Sequence, residues 1–255
     1  MDDAAPAYSR ALRLAARLGR LAYRFVLPPV CLACERPVGS EGALCTTCWR
    51  ETDFIDAPCC DRLGIPLPPG MLPGAVSLQA FSNPPKFDRA RAAMRYDGAA
   101  RRLVHRLKYG DRPDLAPAIA RWMARAGREV LEEADLLVPV PLHWTRMMGR
   151  RFNQAGELAR ALSRETGIPY APEVLSRVRR TSRQVGLSAS ERGKNLHGAM
   201  KVTEAGLLAV HRRNIVLVDD VLTTGATLNA AAHALRRAGA ERVDAVVAAV
   251  VADRA

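Results

Sequence analysis

The chain has 255 residues, 49% of them hydrophobic, which is enough to bury a core and too apolar for a disordered protein. Its 38 basic and 26 acidic residues leave a formal charge of +12, favouring anionic partners such as phosphorylated metabolites or nucleic acid. No stretch approaches the ~18 uninterrupted apolar residues of a membrane span.

Taken in chain order, Tyr8–Val26 sets Arg10, Arg13, Arg17, Arg20 and Arg24 among leucines. That spacing predicts a basic amphipathic helix packed on its own domain, and the arginines interrupt any signal-peptide core. The expected location is therefore the cytoplasm. Residues 27–75 hold all six cysteines and many prolines and glycines, with little periodicity. From about Val76 strands and helices alternate. Strands are expected near Ala90–Tyr96, at Asp135–Val140, at Asn214–Val218 and at Arg242–Val251. Helices are expected over Ala99–Tyr109, Leu115–Leu131, Gln154–Glu165 and Leu228–Ala238, the last stopped by Gly239. The expected layout is a basic helix (1–26), a cysteine module (27–75) and an α/β domain (76–255) with a mostly parallel sheet flanked by helices. No internal repeat is evident.

Cys31-x-x-Cys34 and Cys45-x-x-Cys48 are two pairs separated by ten residues. Each tight turn aims two thiolates at one ion, and two such turns complete a tetrahedral Zn²⁺ site. Four thiolates leave no open coordination position, so the zinc is structural. A disulfide framework would need an oxidising compartment, for which there is no export signal. Cys59 and Cys60 are left over; position 63 is leucine, so they read as ordinary small residues or the vestige of a second metal pair.

The most informative stretch runs from Ile215 to Thr227. Four apolar residues form a buried strand, Asp219 and Asp220 sit at its carboxyl end, and Thr223, Thr224, Gly225, Ala226 and Thr227 form a small-residue turn before a helix. Open α/β sheets bind ligands at that end, and backbone N–H groups at a helix N-terminus surround a phosphate. A phosphate beside two carboxylates points to a ribose phosphate, with the acids taking the sugar hydroxyls. No G-x-x-x-x-G-K-[ST] or G-x-G-x-x-G pattern supports a P-loop or a dinucleotide fold. A basic segment from Arg177 to Gly198 carries Arg180, Arg183, Arg192 and Lys194. It reads as a loop closing over a pyrophosphate, a solvated linker, or a groove for a nucleic-acid backbone.

The Ile215–Thr227 stretch resembles the phosphoribosyl pyrophosphate (PRPP) motif of type I phosphoribosyltransferases. The resemblance implies that Asp219 and Asp220 contact the ribose and that Thr223 to Thr227 wrap the 5′-phosphate. It also implies a Mg²⁺ held chiefly by substrate oxygens, and a pyrophosphate loop at Pro139, Val140, Pro141, Leu142 and His143, with Arg146, Arg150 and Arg151 following. The series Leu107-Lys108-Tyr109-Gly110-Asp111, Arg151-Phe152-Asn153-Gln154-Ala155 and Thr181-x-x-Gln184-x-x-Leu187-Ser188 extends the likeness across most of the chain. It is similar to the ComF family of bacterial competence proteins, which implies a PRPP ligand and a role in DNA uptake or single-stranded DNA handling. The second metal pair of many relatives is missing here, where Leu63 replaces a cysteine. Two functions stay open on the sequence. One is a transferase that displaces pyrophosphate; the other is a non-catalytic PRPP sensor that binds DNA. A membrane scaffold would rest on the basic helix alone. Oligomeric state is open.

Overall fold

A computed structural model describes residues 28–142, 152–178 and 199–252. The expected N-terminal helix, His143, Arg146, Arg150, Arg151, Arg180, Arg183, Arg192 and Lys194 lie outside the described residues.

The elements in chain order are α1 (Thr46–Arg50), α2 (Leu78–Ser82), β1 (Ala90–Arg95), α3 (Gly98–Tyr109), a 3₁₀ turn (Pro113–Leu115), α4 (Ala116–Ala126), α5 (Arg128–Leu131) and β2 (Leu136–Pro139). They continue with α6 (Gln154–Thr166), β3 (Leu175–Arg177), β4 (Met200–Val202), α7 (Glu204–Val210), β5 (Asn214–Leu222), α8 (Ala226–Arg237) and β6 (Arg242–Val250). Strands β1, β6, β5 and β2 form one sheet in that order, and every pairing in it is parallel. Tyr170 continues the sheet beyond β2 through a parallel bridge to Leu137. A doubly covered parallel sheet requires strands apolar on both faces, and the run Val243–Val250 is buried throughout.

Alternate strand residues feed two cores. Leu137, Val216, Val218 and Val246 pack with α3, α4 and α6 on one face. Val138, Leu217, Val243 and Val247 pack with α8 on the other. The cysteine-rich segment straddles the β1 edge: Cys31, Leu32 and Cys48 join the first core, whereas Ile55, Cys60 and Leu63 join the second. Between them the chain runs antiparallel along β1. The Ile55 N–H donates to Ala93 O at 3.1 Å and the Arg95 N–H to Asp53 O at 2.8 Å. Further along the same edge, the Ala90 N–H donates to Arg62 O at 3.0 Å.

Three expectations change. The helix expected over Leu115–Leu131 is a 3₁₀ turn and two helices, broken at Gly127. The backbone there lies so close to β6 that a Cβ on Gly127 would sit 2.8 Å from Val246 Cγ2. The strand expected to end at Val218 runs to Leu222 and carries both acids within it. Strand β6 supplies ladder partners past them, with Asp219 opposite Val247 and Leu222 opposite Val250. Arg177 belongs to β3 rather than to a loop: it pairs with Met200 in the antiparallel β3–β4 ladder. Among the described residues no helix is long and apolar enough to cross a membrane.

Candidate functional site

Strand β5 delivers the acid pair to the carboxyl end of the sheet. Asp220 shares parity with Val216 and Val218 and so lies on the α3 side. There Lys108, at the last turn of α3, places Nζ 2.8 Å from Asp220 Oδ1. Both side chains are largely covered. The Asp220 N–H donates to Asp219 Oδ1 at 2.8 Å. Burial pushes the Asp219 carboxyl up to about 7, and the neighbouring Asp220 charge adds to this. The Asp220 N–H, Lys108 and Arg177 act the other way. Two adjacent carboxylates with one close ammonium form a negative, partly desolvated site suited to hydroxyl donors or a cation.

Directly after β5 the chain turns into α8. Thr223 and Thr224 are exposed, and Ala226 and Thr227 are half-buried. Gly225 is the N-cap residue at φ +76°, a left-handed conformation that glycine adopts without a Cβ penalty. The cap is free of a side-chain hydrogen bond, so no side chain of the N-cap covers the first-turn N–H groups of the helix. Asn229, one turn into α8, accepts the Lys86 N–H at 2.7 Å through Oδ1, fixing the turn to the segment before β1.

The neighbouring loop starts from β2. Pro139 and Val140 are buried and Pro141 and Leu142 half-buried. The Val140 N–H extends the ladder to Val218 O at 2.9 Å. Asn153 holds the returning chain with two hydrogen bonds. Its Nδ2 donates to Val140 O at 3.2 Å, while its Oδ1 caps α6 by accepting from the Ala155 N–H, also at 3.2 Å. The described residues of the acid pair, the threonine turn and the Pro139–Leu142 loop thus converge at one end of β2 and β5. Lys108, Arg177 and Asn153 complete the group; from sequence Lys108 and Asn153 entered only through the family resemblance and Arg177 only as the start of the basic segment, none with a role at the acid pair. Lysine is rare in this chain, with four among its 38 basic residues, and that rarity was a usable signal for Lys108. For Arg177 and Asn153 the placement is purely tertiary.

The thiols of Cys31, Cys34, Cys45 and Cys48 form a second centre. Their sulfurs all lie within 4.8 Å of one another, and Cys34 and Cys45 Sγ are 3.6 Å apart. A tetrahedral Zn–S₄ site at about 2.3 Å per bond needs sulfurs roughly 3.8 Å apart, so the donor set fits zinc. Burial pushes the Cys31 thiol up, but the backbone N–H groups of Cys45, Cys34 and Ala33 outweigh it and bring it down to about 6. Helix α3 braces this module. Arg102 reaches Cys48 Sγ at 3.5 Å and pairs with Glu51, and Arg106 pairs with Glu35.

The sequence matches the double zinc ribbon domain over residues 22–77 and the phosphoribosyl transferase domain over residues 154–255. The DNA utilization protein YhgH of Escherichia coli is 34% identical over 85% of this chain and 95% of its own. Competence protein F of Haemophilus influenzae is 36% identical over 55% of this chain and 63% of its own. The bifunctional protein PyrR of Corynebacterium diphtheriae is 31% identical over 53% of this chain and 67% of its own. A solved allosteric regulatory enzyme of purine biosynthesis superposes on 56% of this chain and 30% of its own, at 22% identity and a TM-score of 0.37, a likeness too loose to bear on the site. With a structural Cys₄ zinc ribbon ahead of a phosphoribosyltransferase-type sheet, and a relative aligned along most of both chains, this protein belongs to the ComF family.

Proposed function

We propose that this protein binds PRPP, as its Mg²⁺ complex, at the carboxyl end of β5 and β2, in a role linked to DNA uptake or nucleotide metabolism. One observation carries the reading: a carboxylate pair in β5 is followed, across the short Val221–Thr224 stretch, by a left-handed glycine that opens a helix N-terminus. Asp219 and Asp220 accept the ribose hydroxyls, and Thr223, Thr224, Gly225, Ala226 and Thr227 surround the 5′-phosphate. Pro139 to His143 form the pyrophosphate loop, and Arg180, Arg183, Arg192 and Lys194 cover it. Lys108 neutralises Asp220 in the free protein and turns to the diphosphate when the ribose takes its place. Asp219 and Asp220 suit a neighbouring cation, and a Mg²⁺ brought in chiefly by the ligand would supply charge neutralisation for the leaving group there.

The names of the relatives, a DNA utilization protein and a competence protein, support a role in DNA use. Single-stranded DNA or the uptake machinery is the proposed partner. The proposed location is the cytoplasm, where thiols stay reduced and free to hold zinc. The organisation into 1–26, 27–75 and 76–255 belongs to the same proposal.

The test is calorimetric titration with PRPP and Mg²⁺, coupled to an assay for released pyrophosphate. Binding followed by pyrophosphate release on adding an acceptor identifies a transferase, in which the acceptor attacks the anomeric carbon and the departing oxygen keeps the bonding electrons. Binding without release for any acceptor supports the sensing, DNA-binding role, for which the charge of +12 is the favouring observation. Absence of binding removes the proposal.

A further inference from the structure

The two cysteine-bearing segments repeat one backbone. In the first, Val30 bridges Pro37, the Cys31 N–H donates to Arg36 O at 2.8 Å, and the Glu35 N–H returns to Cys31 O at 2.9 Å. In the second, Cys59 bridges Pro66, the Cys60 N–H donates to Ile65 O at 2.7 Å, and the Gly64 N–H returns to Cys60 O at 2.8 Å. The turn needs a positive φ at one place, supplied by Glu35 (64°) and by Gly64 (63°).

The second halves agree as well. The Leu32 N–H donates to Ala43 O at 3.1 Å, as the Asp61 N–H does to Ala75 O at 2.9 Å. The Cys45 N–H reaches Cys31 Sγ at 3.3 Å, and the Ser77 N–H reaches Cys60 Sγ at 3.2 Å. Cys45 caps α1 by accepting from the Cys48 N–H, and Ser77 caps α2 by accepting from the Ala80 N–H. Each helix is five residues long. These correspondences set Cys60, Leu63, Ser77 and Ala80 in the places of the four zinc-binding thiols. Cys59 takes the place of Val30, which explains why it faces no ligand position.

We infer that the second ribbon is closed without a metal, its ion replaced by a leucine, and that the protein binds one zinc per chain although its family model describes a double ribbon. One thiol, one hydroxyl and two aliphatic side chains cannot build a four-coordinate zinc site. What remains is a core. Cys60, Leu63 and Ala80 are 0%, 9% and 2% exposed and pack with Phe87, Ala90 and Ala92. Burial of this cluster supplies the folding free energy that thiolate bonds supply in the first ribbon. The surviving Cys60 sulfur still accepts the Leu63 N–H at 3.5 Å, so the hydrogen-bonded frame of the knuckle persists around an apolar centre.

Elemental analysis of the purified full-length protein tests this. One zinc per chain is expected, none in Cys31→Ser, and still one in Cys60→Ser. The triple change Leu63→Cys, Ser77→Cys, Ala80→Cys is expected to rebuild the tetrad around Cys60 and raise the content to two. Two zincs in the native protein, or a loss of zinc on Cys60→Ser, overturns the inference. A triple variant that folds, by circular dichroism, yet stays at one zinc overturns the positional correspondence. Should it fail to fold, the native stoichiometry and the Cys60→Ser arm decide the matter.

Discussion

Strands β5 and β6 carry covered acid at both ends, buried in Asp244 and half-buried in Asp219 and Asp220, and the two ends are finished to different degrees. At the amino end Asp244 accepts the Arg89 N–H at 3.0 Å and meets the Arg89 and Arg242 guanidinium groups at 3.3 and 3.0 Å. Glu133 pairs with the same two arginines, and Asp88 pairs with Arg236. Three carboxylates thus face three guanidinium groups. At the carboxyl end, the described residues place one ammonium in contact with two adjacent carboxylates, and the Arg177 charge also acts on Asp219. Acid ringed by guanidinium groups holds a fold together; acid with fewer contacts among the described residues is open to a ligand.

The largest way to break that contrast is Asp219→Asn with Asp220→Asn. Hydrogen bonds to charged groups are worth about 1.5–3 kcal/mol each, so PRPP binding should fall below detection by calorimetry. Zinc content and fold should persist; their loss would make these acids structural like Asp244. Next comes Asp244→Ala, which leaves Arg89 and Arg242 short of their shared acceptor. Because those arginines keep Glu133 and some water, the cost should be roughly 2–3 kcal/mol, read as a lower denaturation midpoint with unchanged PRPP affinity.

Lys108→Met sharpens the comparison. It removes the ammonium from the acid pair and should weaken PRPP binding by about tenfold near neutral pH, a loss of ~1.4 kcal/mol. The pH at which binding is half-maximal should move upward. The most gradual effect, spread over several pH units, concerns stability. Asp219, raised to about 7, titrates near 3.9 when unfolded. Its proton therefore stabilises the folded state below about pH 4, and that contribution is lost as the pH rises through about 7. Asp244, raised to about 6 by burial, has the same sign but a lower window. The stability of the ligand-free protein, read as its thermal midpoint, should fall between about pH 4 and 7 and level off above, with a slope of about 1.4 kcal/mol per pH unit for each of the two groups. Asp219→Asn should flatten that slope.

Some of this architecture is legible in the residues because the cause is local. The apolar run of β6 and the strand–acid–turn–helix order of Ile215–Thr227 announce themselves, as does the spacing of Cys31, Cys34, Cys45 and Cys48. Other parts depend on distant partners. Strands β3 and β4 are three residues each and pair across more than twenty intervening residues, so neither shows a pattern alone. Lys108 joins Asp220 only once α3 packs on β5. The second ribbon is only half legible: Cys60 and Leu63 point to a lost metal pair, but the repeat itself shows only in the backbone, because three of four side chains at the ligand positions have changed chemistry.

The pairing of residues 53–62 along β1 bears on how this protein can be cut. An exposed parallel-sheet edge presents unpaired N–H and C=O groups that recruit other chains. In the intact chain, residues 53–55 and Arg62 occupy that edge of β1. A fragment beginning at Val76 would retain every strand of the sheet and still lose this cover, together with the apolar lids of both cores. It should self-associate on purification, whereas the full-length chain should remain dispersed.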